Sequence, residues 1–241
     1  MKKVFVIVPC YNEAGCVVQT LTNLRKTHKE IRIIAINDGS SDNTLELLHS
    51  IEDPDLTVID LPFNSGIGTA VQTGLLYAVR NGAEYAVKFD SDGQHLAEEI
   101  PLLLAPLEKG EADLTAGSRF LEGNPDGFKS TFFRRMGIKL FYLLSRLLTG
   151  KGITDSTSGF RAYNRKALDF SAKYYPAFDY PEPEESILLI RNGFSVAEVP
   201  CKMAVRQSGS SSIKPYKAIY FMLKVSFAMI MEGIRPRKRS I

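Results

Sequence analysis

The segment from Lys88 to His95 carries the residue types best suited to chemistry. Asp90 and Asp92, separated by one serine, follow an apolar run typical of a strand, so both carboxylates emerge from a turn at a strand end. Two such carboxylates suit Mg²⁺ or Mn²⁺, which keep water and bind substrate phosphates as further ligands. An isolated Asp-x-Asp pair occurs by chance in many chains. Its position at a strand end, with Gln94 and His95 following, favours a cation site that receives a phosphate group.

Two other predicted strands also end in polar residues, Pro9 to Glu13 and Asn37 to Asp42. Ligands of parallel sheets bind beyond the carboxyl ends of the strands, so the three ends are expected to converge. Alternatively, Asp38 and Asp42 merely form a turn and cap a helix, since Asp, Gly and Ser are common in such turns. We assign that role to Asp42 and expect Asp38 to face a ligand.

The surrounding pattern alternates short apolar runs with amphipathic stretches, which predicts an α/β fold with a mostly parallel central sheet and helices on both faces. The predicted strands of the first half are Val4 to Pro9, Ile31 to Asn37, Thr57 to Leu61, Tyr85 to Asp90 and Leu114 to Ser118. The predicted helices between them are Ala14 to Thr27, Asp42 to Ile51, Thr69 to Asn81 and Glu98 to Lys109.

The second half is less regular. It predicts a helix from Lys129 to Thr149, a loop from Gly150 to Gly159, a short helix, a Pro/Glu-rich loop from Pro176 to Glu185, a strand from Val196 to Met203 and a helix from Pro215 to Gly233.

Composition limits the class of protein. The chain has 241 residues, of which 44% are hydrophobic, enough for a sizeable core. Its net charge of +3 divides into +8 from Lys202 onward and −5 before it, which indicates a polyanionic partner surface for the tail. No stretch is apolar enough to span a bilayer and no signal peptide is evident, so a cytoplasmic location is expected. The three cysteines lack metal-type spacing and fit reduced thiols.

Two broader functions are disfavoured. A dinucleotide-dependent oxidoreductase would carry Gly-x-Gly-x-x-Gly after the first strand, where Pro9 to Glu13 stands instead. Nucleic-acid binding through the basic tail lacks aromatic or recognition-helix support, so no nucleic-acid partner is expected.

Six segments taken in order resemble family-2 glycosyltransferases of the dolichol-phosphate-mannose-synthase-like group, over about Val4 to Ile213. They are Val8 to Glu13, Asn37 to Asp42, Asn64 to Gly68, Asp90 to Gln94, Gly117 to Arg119 and Thr157 to Arg161.

This resemblance implies a glycosyltransferase-A fold and inverting transfer of a sugar from a nucleoside-diphosphate sugar to a polyprenyl phosphate. It places Pro9, Tyr11, Glu13 and Asp38 around the base and ribose, with the Tyr11 ring against the base. It places Asp90 and Ser91 along the ribose and diphosphate, and Asp92 and Gln94, with Asp90, around a Mg²⁺ or Mn²⁺ ion. Asp92 and Arg119 are expected to act in catalysis.

The acceptor site is also implied by resemblance. Arg119 and Arg134 would bind the acceptor phosphate, which is ionised near neutral pH and needs no general base. Arg206 begins a Ser/Gly-rich segment similar to one that closes over the diphosphate in the family. Ser212 stands where that segment often has lysine, so the lysine's role is not carried over.

Two alternative functions remain open at this point. If the acceptor is a sugar hydroxyl of a lipid-linked glycan, Glu184 is a candidate general base, because a hydroxyl must lose its proton as it attacks. The other alternative is a non-catalytic nucleotide-sugar-binding partner protein.

The C-terminal region is predicted as a unit of its own. Residues 1–213 would form the catalytic domain, and residues 214–241 an amphipathic helix with a basic tail. This helix would meet either a membrane surface, peripherally at the inner face of the cell membrane, or protein, such as a small membrane-protein partner.

Overall fold

The computed structural model describes residues 3–121, 132–176, 180–204 and 218–238, with the backbone alone at 132–135 and 218–219. The strands are β1 (Val4–Cys10), β2 (Arg32–Asp38), β3 (Leu56–Leu61), β4 (Tyr85–Lys88), β5 (Leu114–Ser118), β6 (Arg161–Asn164) and β7 (Val196–Pro200). The helices are α1 (Val17–Thr27), α2 (Thr44–His49), α3 (Ile67–Arg80), α4 (Ile100–Glu108), α5 (Phe132–Thr149), α6 (Arg165–Tyr174), α7 (Glu182–Arg191) and α8 (Ala218–Ile234).

The strands form one sheet in the order β3-β2-β1-β4-β6-β5-β7. All neighbouring pairs are parallel except those of β6, which runs antiparallel to both β4 and β5. The carboxyl ends of β1, β2 and β4 therefore lie side by side at one edge of the sheet, as the sequence predicts. Strand β6 itself is not predicted by the sequence pattern.

Alternate side chains of the central strands enter two separate cores, as expected for a sheet covered on both faces. In β1, Val6 and Val8 pack with α1 and α4, whereas Phe5 and Ile7 pack with α3 and α6. The prediction of helices on both faces is confirmed.

Helices α5, α7 and α8 form a third packed group beside the sheet. Its buried residues are Phe141, Ile187, Val225 and Met229. In the portion of the chain that the structure describes, no helix is both long and apolar enough to cross a membrane.

The predicted Pro/Glu-rich loop from Pro176 to Glu185 is wrong at its end, because α7 begins at Glu182. Pro183 lies in the first turn of that helix, where its missing N–H costs nothing. The predicted strand from Val196 to Met203 ends at Pro200, although Met203 makes an isolated bridge to His95.

Candidate active site

A cavity of about 550 Å³ opens at the carboxyl ends of β1, β2 and β4. The residues that line it come from the three predicted strand ends, from the loop before α3, from the loop before β6 and from the start of α7. They are Pro9, Cys10, Tyr11, Glu13, Asp38, Asn64, Gly66, Ile67, Ala70, Asp90, Ser91, Asp92, Gln94, Thr157, Gly159, Tyr180 and Glu182. The structure thus brings together Pro9, Tyr11, Glu13, Asp38, Asp90, Ser91, Asp92 and Gln94, eight of the predicted site residues.

The turn after β4 is held by His95. Its Nδ1 accepts a hydrogen bond from the backbone N–H of Asp90 at 2.9 Å, so the ring proton resides on Nε2. Nε2 lies 3.5 Å from Oδ2 of Asp90. The same ring therefore fixes the main chain of Asp90 and faces its carboxylate.

The surroundings of His95 keep it neutral. Its ring stacks on Phe160 with centroids 4.5 Å apart and meets the edge of Phe89 at 5.5 Å. Burial lowers the pKa of His95 from 6.5 to about 4, although the neighbouring Asp90 carboxylate acts in the opposite direction. At neutral pH the ring accordingly serves as one donor and one acceptor.

Gly159 allows the Asp90 carboxylate to lie against the loop before β6. A Cβ at position 159 would stand 2.8 Å from Oδ2 of Asp90 and 3.3 Å from Oδ1. Any side chain here would displace the carboxylate or the loop, so a residue without a side chain is required.

The other two residues of the turn are held by short-range contacts. The Ser91 hydroxyl donates to the carbonyl of Pro9 at 2.9 Å, which ties the turn to β1. Oδ1 of Asp92 accepts the backbone N–H of Gln94 at 3.0 Å. Ser91 and Asp92 are buried in the cavity wall, so these hydrogen bonds set the position of the turn.

Asp38 has a structural task in addition to its place in the cavity wall. Its two carboxylate oxygens accept the backbone N–H groups of Ser65 at 2.7 Å and Gly66 at 2.9 Å. Gly66 has a positive φ of 89° and immediately precedes α3. Asp38 therefore positions the loop that forms one side of the cavity.

The loop after β1 is tied to the loop after β2. Asn12 has a positive φ of 54°, and its side-chain oxygen accepts the backbone N–H of Ser41 at 2.8 Å. The Asp42 carboxylate accepts the backbone N–H groups of Ala14 at 3.2 Å and Thr44 at 3.0 Å. These bonds leave Tyr11 46% exposed at the cavity, where a flat ligand can pack on its ring.

The donor chemistry of the β4 turn fits a hard divalent cation. Asp90, Asp92 and the Gln94 amide supply oxygen atoms to the same cavity. Within residues 3–121, 132–176, 180–204 and 218–238, no group of three or more His, Cys, Asp or Glu side chains is arranged to hold a metal. The set suits an ion whose shell is completed by ligand phosphates and water.

Arg119 lies near this turn but is bound by an acid. Its Nε and Nη2 donate to the two oxygens of Asp155 at 2.7 and 2.8 Å. Burial alone would lower the pKa of Arg119, but the hydrogen bond and charge of Asp155 outweigh it and the pKa is raised. Arg119 is therefore a fixed, permanently charged group, with Asp90 contributing to its field.

The acid partner of Arg119 is itself anchored. The carboxylate of Glu198 on β7 accepts the backbone N–H groups of Thr154 and Asp155, both at 2.8 Å, and the Thr154 hydroxyl at 2.8 Å. The side chain of Arg134, in the first turn of α5, and the whole of Arg206 lie outside the described residues.

The structure does not bring Glu184 to the cavity. Its carboxyl group lies near Glu232 and Arg235, and burial together with the Glu232 charge raises its pKa. The acid of α7 that reaches the cavity wall is Glu182, which forms a buried ion pair with Lys88.

The sequence assigns no role to four residues whose contacts hold the site together: His95, Asp155, Gly159 and Glu182. Gly159 lies inside a recognised motif and His95 directly follows one, so their positions are visible in the sequence although their contacts are not. Asp155 and Glu182 depend on long-range pairing with residues 36 and 94 positions away. No local pattern gives such distances.

Comparison with known proteins identifies the family. Residues 5–170 match the family described as glycosyl transferase family 2. Polyprenol monophosphomannose synthase of Mycolicibacterium smegmatis is 32% identical over 93% of this chain and 86% of its own. UDP-N-acetylglucosamine--dolichyl-phosphate N-acetylglucosaminyltransferase of Methanococcus voltae is 28% identical over 96% and 99%.

Among solved structures, glucosyl-3-phosphoglycerate synthase from Mycobacterium tuberculosis, in complex with Mn²⁺, UDP and phosphoglyceric acid, superposes with a TM-score of 0.72. The two chains are 19% identical, and the match covers 98% of this chain and 80% of that one. This likeness confirms the predicted glycosyltransferase-A fold. With that fold, the six ordered motifs gathered at one sheet edge and the match over most of its length, the chain belongs to glycosyl transferase family 2.

Proposed function

We propose that this glycosyltransferase moves a sugar from a nucleoside-diphosphate sugar to a polyprenyl phosphate, with inversion at the anomeric carbon. The observation that carries the proposal is the hydrogen-bonded Asp90-Ser91-Asp92 turn, which lines a cavity of about 550 Å³. That volume lies in the range of small-molecule and cofactor sites. The names of the Mycolicibacterium and Methanococcus relatives support a polyprenyl-type phosphate as acceptor.

In this proposal the donor's base packs on the exposed ring of Tyr11. Pro9, Glu13 and Asp38 surround the base and ribose. Asp38 already accepts two backbone N–H groups, and a carboxylate has lone pairs for about four hydrogen bonds. Its role toward the ribose is therefore compatible with its role in positioning the loop before α3.

The diphosphate would lie along Asp90 and Ser91, with Mg²⁺ or Mn²⁺ held by Asp92, Gln94 and Asp90. When bound, the ion neutralises negative charge that builds on the leaving nucleoside diphosphate. Because the Ser91 hydroxyl is committed to Pro9, we expect the serine to shape the turn rather than to bind the ion.

In the transfer step, an oxygen of the acceptor phosphate forms a bond to the anomeric carbon. The bond from that carbon to the donor's diphosphate oxygen breaks, and its electron pair leaves with the nucleoside diphosphate. The acceptor is already anionic, so no proton has to be removed. We propose that Arg119, held by Asp155, and Arg134 bind the acceptor phosphate, and that Arg206 assists at the diphosphate.

A sugar-hydroxyl acceptor would need a general base, and Glu184 does not line the cavity. Its charged neighbours are instead Glu232 of α8 and Arg235 just after that helix. The positions of Glu184 and Arg119 thus support the phosphate acceptor over the hydroxyl.

We further propose that residues 1–213 act as the catalytic domain and that residues 214–241 hold it peripherally at the cytoplasmic face of the cell membrane. The basic tail supports this location, since anionic lipids attract clustered Lys and Arg. The membrane surface, or a small membrane protein within it, would be the partner.

The test of the donor site is a thermal-shift panel of UDP, GDP and dTDP sugars with Mn²⁺, Mg²⁺ or chelator. A ligand at a hundredfold its dissociation constant should raise stability by about 2.7 kcal/mol. We expect sugars of one nucleotide class to stabilise the protein, and only when metal is present. Asp92→Asn should abolish this stabilisation. Asparagine keeps the oxygen that accepts the Gln94 N–H, so the turn should survive.

Asp55→Asn is the matched control, because Asp55 is exposed and precedes β3 at the opposite edge of the sheet. It should respond to donor as the wild type does. Incubation with undecaprenyl phosphate should then yield a lipid-linked sugar. Equal donor stabilisation in Asp92→Asn and wild type, or a metal-independent effect, would refute the assigned site.

A further inference from the structure

Two helices that lie outside the cavity expose apolar side chains along one face each. On α5, Met136, Leu140, Leu143 and Leu147 are 39 to 81% exposed and recur at intervals of three and four residues. On α8 the exposed apolar side chains are Tyr220, Leu223, Phe227, Ile230, Met231 and Ile234. Contiguous exposed apolar surface of this kind marks a site of interaction.

The two stripes belong to one surface. A Cβ at Gly137 of α5 would lie 3.3 Å from the Met222 sulfur of α8, and a Cβ at Gly233 of α8 would lie 2.6 Å from Leu148 of α5. The contacts advance together along both helices, so α5 and α8 run parallel and in close register. We call their joint exposed side the α5/α8 face.

The charges beside the α5/α8 face have one sign. The exposed ionisable side chains along the two helices and just beyond are Lys139, Arg146, Lys151, Arg235 and Arg237. Among the described side chains of α5 and α8, the single acid is Glu232, which is 5% exposed. A second copy docking symmetrically would bring like charges together, whereas anionic lipid headgroups complement them.

The face is joined to the cavity by aromatic packing. Tyr180, which lines the cavity, places its ring 4.5 Å from Phe221 of α8. Phe221 in turn meets Phe141 of α5 at 6.0 Å. Tyr180 has a positive φ of 61°, a costly conformation for a bulky residue that packing must maintain.

We propose that the α5/α8 face docks on a bilayer surface rich in anionic headgroups, with α5 contributing as directly as α8. This rests on the proposed function in one respect, since a polyprenyl acceptor resides in that bilayer and the face adjoins the cavity wall. Docking would present the cavity to the headgroup layer. The basic tail alone, without α5, would not be sufficient.

The experiment is flotation of the full chain with vesicles of phosphatidylcholine alone or mixed with phosphatidylglycerol. We expect binding to the mixed vesicles and weaker binding to phosphatidylcholine. Leu143→Glu and Leu147→Glu should each reduce affinity roughly tenfold or more, because docking would bury the exposed leucine among lipids and the variant places a charge there instead. Leu102→Glu is the matched control, since Leu102 is 48% exposed on α4, which packs on β5, β6 and β7.

Donor-induced thermal stabilisation, measured on the same variants, separates docking from catalysis. The α5 variants should retain the donor-induced stabilisation. If the wild type shows no such stabilisation, the proposed function is refuted and the docking result still stands. Unchanged vesicle binding by both α5 variants, or no binding by the wild type, overturns the proposal. So does a wild-type dimer that the variants dissociate, which would assign the face to a second copy.

A second kind of variant tests docking without adding a charge that could disturb folding. The chain contains no tryptophan, so Leu147→Trp places a single reporter at a side chain that is 81% exposed. Its emission should shift to shorter wavelength with mixed vesicles. Emission that stays at the position of a water-exposed indole at saturating vesicle concentration would contradict docking through α5.

Discussion

Because His95 is neutral in the folded chain, we expect acid to lower the free energy of unfolding by an amount that can be calculated. The ring accepts the Asp90 N–H through Nδ1, and protonation at that atom would break the bond. Burial lowers the pKa of His95 to about 4 in the folded chain, from 6.5 when exposed. Replacement by asparagine puts an amide oxygen near the position of Nδ1 but removes the titrating group.

The direction in which stability changes with pH follows from proton binding. Between pH 6.5 and about 4 the unfolded chain binds a proton at residue 95 and the folded chain does not, so protons favour unfolding. The stability that the neutral His95 ring allows is fully present above pH 6.5 and is lost as the pH falls toward 4. The difference in pKa corresponds to about 3 kcal/mol, or about 6 to 12 °C in Tm for a chain of this size.

The assay is urea unfolding of wild type and His95→Asn at a series of pH values from 7 to 4. Carboxylates distant from residue 95 titrate in the same way in both proteins, so their effects cancel in the difference. The stability advantage of the wild type should shrink by about 3 kcal/mol across the series. His49→Asn, at an exposed position, should run parallel to the wild type. A constant difference between wild type and His95→Asn would refute the neutral, buried ring.

Three further changes test the site. Gly159→Ala should lower kcat/KM roughly a hundredfold, because the new Cβ would stand 2.8 Å from Oδ2 of Asp90, and steady-state kinetics will show whether it does. Asp155→Asn should raise KM for the polyprenyl phosphate about tenfold while donor binding persists, since Arg119 loses its charged anchor; unchanged KM would argue against Arg119 at the acceptor. Glu184→Gln should leave turnover within about twofold, and a large loss of turnover with intact donor binding would restore the sugar-hydroxyl reaction.

The sequence predicts the part of the fold that is locally encoded. Short apolar runs predict β1 to β5, and the motifs at the ends of β1, β2 and β4 converge as expected. Strand β6 escapes prediction because four residues beginning with arginine and ending with asparagine carry no apolar run. Arg161 is nevertheless fully buried, since Glu185 neutralises it from α7. Tertiary pairing here overrides local pattern.

The site shows the same division. Which residues surround the ligand could be predicted from motifs. Which acid of α7 faces the cavity depends on the phase of that helix, and the sequence predicts a loop up to Glu185 there. Glu182 and Glu184 are two residues apart, about 200° around a helix, so an error in helix phase exchanges their surroundings. The sequence offers both and the packing selects Glu182.

The buried pair between Arg161 and Glu185 has an evolutionary consequence. Both side chains are fully buried, and the Glu185 carboxylate also accepts bonds from Tyr163 and Ser171. Removing one partner of such a pair costs about 3 to 5 kcal/mol, a large share of a domain's stability, whereas replacing both by apolar residues is often neutral. Natural selection should therefore remove single substitutions at either position. Descendants of this chain should either keep both charges or lose both together.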